Sequence, residues 1–320
     1  MEEVCVKLDV VVPTYNRSGL LQQAVKSLQL ARVPDALDVT IIVVDNNSQD
    51  NTEAVVTELQ EGSPVPIWYV KELKQGSSHT RNAGIGAGTG DLIGFIDDDE
   101  KIVASWYEVV AREFAEPSTE FIGGPYFANW AAPAPVWLPP GYHAVIGVVD
   151  PKPRGVFDEN FPGIVMSGNA VIRRSVFDRV GGYAPHLGRS GKGLLCEEDA
   201  ELYRRLLAAG VRGYHVPDLI IYHYIPAERL TRNYHRRWCY WRGVSQGLLD
   251  REQKEHVSYS FGVPRYRIGR AVRGMVAAIK GLLRRAEQGR AFASELAIWD
   301  LAGFIHGKHF VKIDRYYAKR

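Results

Sequence analysis

This sequence predicts an α/β fold with a mostly parallel central sheet flanked by helices, and three observations predict it. Short apolar runs of strand length alternate with helical patterns through the first hundred residues. The runs are apolar throughout, as in sheets buried on both faces. Polar residues gather where the runs stop, at the carboxyl ends of strands, where open α/β sheets collect ligands.

The elements follow in order. KLDVVVP (7–13) is a buried strand, and SGLLQQAVKSLQLA (18–31) sets Leu20, Leu21, Val25 and Leu28 at helical spacing. DVTIIVVD (38–45) is the second strand, and DNTEAVVTELQE (50–61) a helix opening at an Asp or Asn cap. PIWYVKE (66–72) is the third strand, SSHTRNAGIGAG (77–88) a short helix and DLIGFID (91–97) the fourth strand. Residues 121–165, rich in Pro, Gly and aromatics, read as irregular loops with short antiparallel strands. Trp130, Trp137 and Tyr142 within them are either packing anchors or platforms for sugar rings. A strand, turn and short helix fill 167–183, and a helix with acids in its first turn spans 196–210, ending at Gly210. A further strand covers 213–225.

Size and charge divide the chain. Its 320 residues suit one large α/β domain with an appendage, and 46% apolar and 24% charged residues are ordinary for a globular protein. The net charge of +2 conceals an acidic body and a basic tail: residues 227–320 carry +12 and the remainder −10. The expected division is a domain over 1–226 and a basic helical extension over 227–320. In 267–286 the residues Ile268, Val272, Met275, Val276, Ile279, Leu282 and Leu283 share one helical face, with Arg267, Arg270, Arg273, Lys280, Arg284 and Arg285 opposite. Such a helix either lies in a membrane interface or packs on the domain with a solvated basic face. The stripe suits packing or lipid better than a phosphate-tracking groove, so no nucleic-acid partner is expected. Cys5, Cys196 and Cys239 form neither a disulfide framework nor a metal-ligand spacing. With no signal-peptide pattern and no apolar run of membrane-spanning length, the expected location is the cytoplasm, at most peripheral to the inner face of the membrane.

The chemistry concentrates in few segments. GIGAGTGD (84–91) lacks the third glycine of a dinucleotide fingerprint and precedes the fourth strand instead of following the first. The run Asp97-Asp98-Asp99-Glu100 ends an apolar strand; it is either a solvated acidic turn or the cradle of a divalent cation.

VVPTYNR, VVDNNSQD, GSSHTRNAGIGAGTGDLIGFIDDDE and CEEDAEL stand in the order and spacing of the family 2 glycosyltransferases, and the resemblance covers roughly residues 8–225. It implies the GT-A (Rossmann-like) fold and inverting transfer of a sugar from a nucleotide-diphosphate donor, UDP-sugars being commonest. The acceptor would be a saccharide, a lipid-linked or a small-molecule hydroxyl, as in polysaccharide biosynthesis. The resemblance assigns Pro13, Thr14, Tyr15, Arg17 and Asp45 to the nucleoside. Asn46 stands where many relatives have a second Asp. Arg81 faces the base or the diphosphate, or is a surface arginine. Asp97-Asp98-Asp99 matches the DxD motif, with Asp99 the direct ligand of Mn²⁺ or Mg²⁺, Asp97 a ribose or indirect contact, and Asp98 either a nucleotide contact or solvent-facing. Asp199 would be the base that takes the acceptor's proton, with Glu198 the second choice, unless these acids only stabilise a helix N-terminus. His223 resembles a histidine found near the metal in some GT-A enzymes, or else is a packed histidine. Arg229 and Arg232 would clamp phosphate or remain solvated. Two other classes compete: a catalytically inactive carbohydrate- or nucleotide-binding scaffold, and a nucleotidyltransferase, whose Gly-rich basic loop PTYNRSGL does not supply.

Overall fold

A computed structural model describes residues 5–138, 140–190, 193–252, 254–282 and 288–311. The chain forms two compact units. The first comprises Met1–Asn129, Val148–Pro185 and Glu198–Tyr224; the second comprises Trp130–Gly147, His186–Glu197 and Ile225–Arg320.

In the first unit the elements run β1 (Val6–Thr14), α1 (Ser18–Leu30), β2 (Leu37–Asp45), α2 (Thr52–Gln60), β3 (Ile67–Lys71), α3 (Ser77–Ala87) and β4 (Leu92–Phe95). There follow β5 (Glu100–Ile102), α4 (Trp106–Phe114), β6 (Phe121–Gly123), β7 (Tyr126–Trp130), β8 (Gly155–Val156), β9 (Ala170–Arg173), α5 (Arg174–Val180), α6 (Glu198–Ala208), β10 (Gly213–His215) and β11 (Ile221–Ile225). The main sheet has the order β3-β2-β1-β4-β9-β6-β10-β8. Strands β3, β2, β1 and β4 are mutually parallel, β9 runs antiparallel between β4 and β6, and β8 is antiparallel to β10. A smaller sheet takes the order β5-β11-β7. The single strand expected over 213–225 is therefore two, β10 and β11, in different sheets, because the turn at Val216–Ile220 redirects the chain.

The continuous apolar runs are explained by burial on both faces. Side chains alternate along a strand, so Leu8, Val10, Val12, Ile41 and Val43 pack with Leu21, Val25, Val56 and Trp106 on one face. Val11, Ile42, Val44, Ile93 and Phe95 pack with Phe177, Leu202 and Leu206 on the other. Asp9 sits in this alternation yet is buried, its carboxylate accepting from Arg174 Nη2 at 2.8 Å and the Gly90 amide at 2.6 Å. A Cβ on Gly88 would lie 2.1 Å from Asp9 Oδ2. The glycine-rich stretch that fails as a dinucleotide fingerprint thus makes room for a buried ion pair.

The second unit is helical: α7 (Arg232–Glu252), a short hairpin of β12 (Tyr259–Ser260) and β13 (Val263–Pro264), α8 (Arg265–Leu282) and α9 (Gln288–His309). Helices α7 and α9 meet through glycines four apart on each, Gly243 and Gly247 against Gly303 and Gly307. A Cβ on Gly303 would fall 1.8 Å from the Tyr240 carbonyl oxygen, so the backbones touch. Buried Asp300 on α9 gathers Arg242 (2.6 Å), Arg267 (3.1 Å) and Arg270 (3.2 Å). Trp137 packs edge-on to His235 and Phe292, and Tyr142 donates to the Ala293 carbonyl at 2.8 Å, so both serve as packing anchors. Arg232 stacks over the Trp137 and Phe292 rings, and Arg229 is buried in the same unit. No helix among the described residues is long and apolar enough to cross a membrane.

Candidate active site

Parallel pairing brings three strand ends together. Thr14 of β1 is the register partner of Asp45 of β2, and β4 lies on the other side of β1. Asp45 is buried, and each oxygen accepts one hydrogen bond: Oδ1 from the Ser48 amide at 2.9 Å and Oδ2 from the Tyr69 hydroxyl at 2.7 Å. Burial, then this bond, raises the pKa of Tyr69. Asn46 holds the following loop with its whole amide. Nδ2 donates to the carbonyls of Glu72 (3.0 Å) and Lys74 (2.7 Å), and Oδ1 accepts from the Gly76 amide (2.8 Å), just before α3. Pro13 is half-buried at the end of β1, Tyr15 is exposed, and Asn16 turns the chain with φ 52°.

The acidic run is divided among different partners. Asp97 accepts from Arg81 Nη2 at 2.8 Å. Asp98 is buried, taking a hydrogen bond from Thr14 Oγ1 at 2.9 Å and an ion pair from Arg17 Nη1 at 3.1 Å. The same Arg17 nitrogen lies 3.1 Å from Asp99 Oδ2. Burial pushes the Asp98 carboxyl up to about 7, with Arg17 and Thr14 opposing and Asp99 reinforcing. Glu100 turns back, accepting from the Asp97 amide at 2.8 Å. Its carboxylate lies where a Cβ on Gly168 would be, 2.3 Å from Oε1. Burial, then the neighbouring carboxylates, raises its pKa.

A metal-ligand geometry arises here from sheet pairing. Strands β5 and β11 pair antiparallel with Glu100 opposite His223, which also brings the imidazole to 3.5 Å from Asp99 Oδ1. Asp99, Glu100 and His223, all buried, each present one donor atom, and the three atoms lie within 4.8 Å of one another. The donors fit a divalent cation: two carboxylates and an imidazole converge, and the burial and neighbouring carboxylates that raise the Glu100 pKa disfavour negative charge there, which a cation would relieve.

Arg81, on α3, is buried between acids. Its Nη1 is 3.6 Å from Glu198 Oε1, its guanidinium lies 5.6 Å from the Tyr183 ring centroid, and its Nε and Nη1 hydrogen-bond no described residue. Glu198 also accepts from Ser77 Oγ at 3.3 Å. Asp199 is half-buried at the start of α6, and its carboxylate is held by Ser167 Oγ, which lies 2.7 Å from the Tyr183 hydroxyl. A serine has one proton; with the carboxylate taking it, Tyr183 donates to Ser167 and Ser167 to Asp199. Burial raises the Asp199 pKa, while Arg81 and Ser167 lower it. The first unit therefore brings together Thr14, Arg17, Asp97, Asp98, Asp99 and His223, and, linked through Arg81, Glu198 and Asp199. Asp45 and Asn46 form a second cluster at the end of β2. Ser167 and Tyr183 are not singled out by the sequence. Glu100 was legible only as the fourth acid of the run, and Ser167 and Tyr183 carried no signal.

A family model, Glycosyl transferase family 2, matches residues 9–181, more than half of the chain. The chain belongs to glycosyltransferase family 2. Among curated members, the succinoglycan biosynthesis protein ExoM of Rhizobium meliloti is 24% identical over 261 residues, 80% of this chain and 79% of its own. The glucosyl-dolichyl phosphate glucuronosyltransferase of Haloferax volcanii is 26% identical over 250 residues, 76% of this chain and 77% of its own. Among solved structures, the mannosyltransferase PcManGT from Pyrobaculum calidifontis, in complex with GDP-Man and Mn²⁺, superposes with a TM-score of 0.64 at 18% identity, over 95% of this chain and 88% of that one. That likeness establishes the GT-A fold. The protein is a nucleotide-sugar glycosyltransferase of the family.

Proposed function

We propose that this glycosyltransferase is metal-dependent and inverting, and that it transfers from a UDP- or GDP-sugar to a saccharide or lipid-linked hydroxyl. The observation that carries the metal dependence is the convergence of Asp99, Glu100 and His223 within 4.8 Å. The two carboxylates suit Mg²⁺ or Mn²⁺, and the imidazole favours the transition metal. When bound, the cation would neutralise charge developing on the diphosphate leaving group. Asp45, the 13–17 turn and the loop clamped by Asn46 would hold the nucleoside, with Asp97 at the ribose. Arg81, whose Nε and Nη1 hydrogen-bond no described residue, would donate to base or diphosphate. Asp199 would take the acceptor's proton as its oxygen attacks the anomeric carbon opposite the diphosphate, which departs with the electrons of the broken C–O bond. A carboxyl whose pKa is raised by burial is a stronger base than an exposed one. The Haloferax relative's name specifies a dolichyl phosphate-linked substrate and that of ExoM succinoglycan biosynthesis; both favour a polymer or lipid-linked acceptor here.

Thermal unfolding with UDP, GDP, dTDP or CDP, each with and without Mn²⁺, tests this reading on wild type and Asp99→Ala. A nucleotide at a hundred times its Kd stabilises by about 2.7 kcal/mol through linkage. One nucleotide should stabilise only with Mn²⁺, and Asp99→Ala should abolish the shift. A shift independent of metal, or retained in the variant, refutes the metal assignment.

A further inference from the structure

The amphipathic stripe of the tail does not pack as an amphipathic helix ordinarily does. Helix α8 packs on α9, and Arg267, Ala271 and Gly274 are buried on one side of it, spaced four and three apart, with half-buried Ala278 four further on. Arg267 is buried on Asp300, and a Cβ on Gly274 would lie 2.3 Å from the Ser294 carbonyl oxygen. This seam of small residues leaves the large apolar residues outside: Val272 is 54% exposed, Met275 48%, Val276 48% and Ile279 56%. At 100° per residue these four occupy roughly 100° of the helix circumference, next to a sector formed by exposed Arg273 and Lys280, with Arg270 beyond them tied to Asp300. Leu282 belongs to the stripe by sequence, but its side chain lies outside the described residues, as does Leu283. The arrangement has three parts: a seam, an apolar face and a basic flank.

We propose that α8 is a membrane-surface helix, whose Val272, Met275, Val276 and Ile279 enter the acyl boundary of an anionic bilayer while Arg273 and Lys280 meet its headgroups. Charge selects this occupant. A second copy of the chain would bring its own basic flank against this one, in a region 227–320 that carries +12, whereas anionic headgroups complement it. No helix among the described residues is long and apolar enough to cross a bilayer, so the proposed contact is peripheral. The proposal is independent of the metal and base assignments above.

The test is cosedimentation of the full chain, without nucleotide or metal, with vesicles of phosphatidylglycerol or of phosphatidylcholine. Wild type should sediment with phosphatidylglycerol and far less with phosphatidylcholine, and added salt should weaken the binding. Val276→Glu combined with Ile279→Glu should lower partitioning about tenfold or more. Val276→Gln with Ile279→Gln should act in the same direction, and an unchanged thermal midpoint shows the fold intact in either variant. Equal sedimentation with both lipids, or no loss in folded variants, overturns the proposal. So does a wild-type dimer in sedimentation equilibrium that the variants dissociate, because the face then belongs to a second copy.

Discussion

Replacing Asn46 by Asp, a change of one amide to a carboxylate, should destabilise the protein. The Asn46 side chain donates to the carbonyls of Glu72 and Lys74 and accepts from the Gly76 amide. Aspartate keeps the acceptor and loses both donors, leaving two carbonyl oxygens facing a carboxylate. A neutral hydrogen bond contributes about 1 kcal/mol, and a stranded buried acceptor costs about 1–3 kcal/mol, so the loss should be about 2–4 kcal/mol. In a unit of this size each kcal/mol moves Tm by about 2–4 °C, for a fall of roughly 5–15 °C. Asn46→Ala, which removes the bonds without adding charge, should cost no more than Asn46→Asp. The sign with pH follows from the repulsion. The new carboxyl would be protonated more readily in the folded than in the unfolded chain, so the deficit should shrink as pH falls through its raised pKa. Loop 72–76 leads directly into α3 and Arg81, so the KM for the donor should rise more than kcat falls. Urea unfolding of the three proteins at two pH values, with donor kinetics, measures all of this. An Asn46→Asp stability within about 0.5 kcal/mol of wild type would refute the clamp, because that is the scatter of substitutions that touch nothing.

Other consequences concern the base, the helical unit and a buried histidine. Asp199→Asn should stop transfer while leaving metal-dependent nucleotide binding intact; near-normal turnover would remove Asp199 from the reaction. Ser167 lowers the Asp199 pKa, so Ser167→Ala should move the acid limb of kcat/KM to higher pH, and an unmoved limb excludes that influence. Gly303→Ala puts a methyl 1.8 Å from the Tyr240 carbonyl oxygen and should cost about 1–3 kcal/mol or more, read as a fall in denaturation midpoint. His235 is fully buried among aromatic rings, and burial pushes its pKa down to about 4. The unfolded chain then binds the proton more tightly, so stability is lost as pH falls from about 6.5 towards 4, by at most about 3 kcal/mol. His235→Phe should flatten that part of the wild-type pH–stability curve, and an unchanged slope would show that His235 does not titrate there.

By itself the sequence determined the α/β alternation, the doubly buried strands and the positions of their polar ends, because side-chain periodicity and strand length are local properties. It also set Asp45, Arg81, the 97–99 acids and Glu198-Asp199 in the order on which the family resemblance rests. What it could not determine depends on pairing between distant segments. Glu100 reads as one more acid in a run until β11 sets His223 opposite it, 123 positions along the chain. Ser167 and Tyr183 carry no motif, and they reach Asp199 only because β9 inserts between β4 and β6 and the chain returns through α6. That Asn46 also clamps a loop depends on carbonyls 26 and 28 residues away. The stripe on α8 showed which residues are apolar but not which side faces the protein. That was decided by Ala271 and Gly274, because small residues let backbones approach closely and thereby leave larger neighbours outside. Local chemistry therefore fixes what each segment can be, and only the three-dimensional pairing of segments decides which side chains share a proton, a charge or a surface.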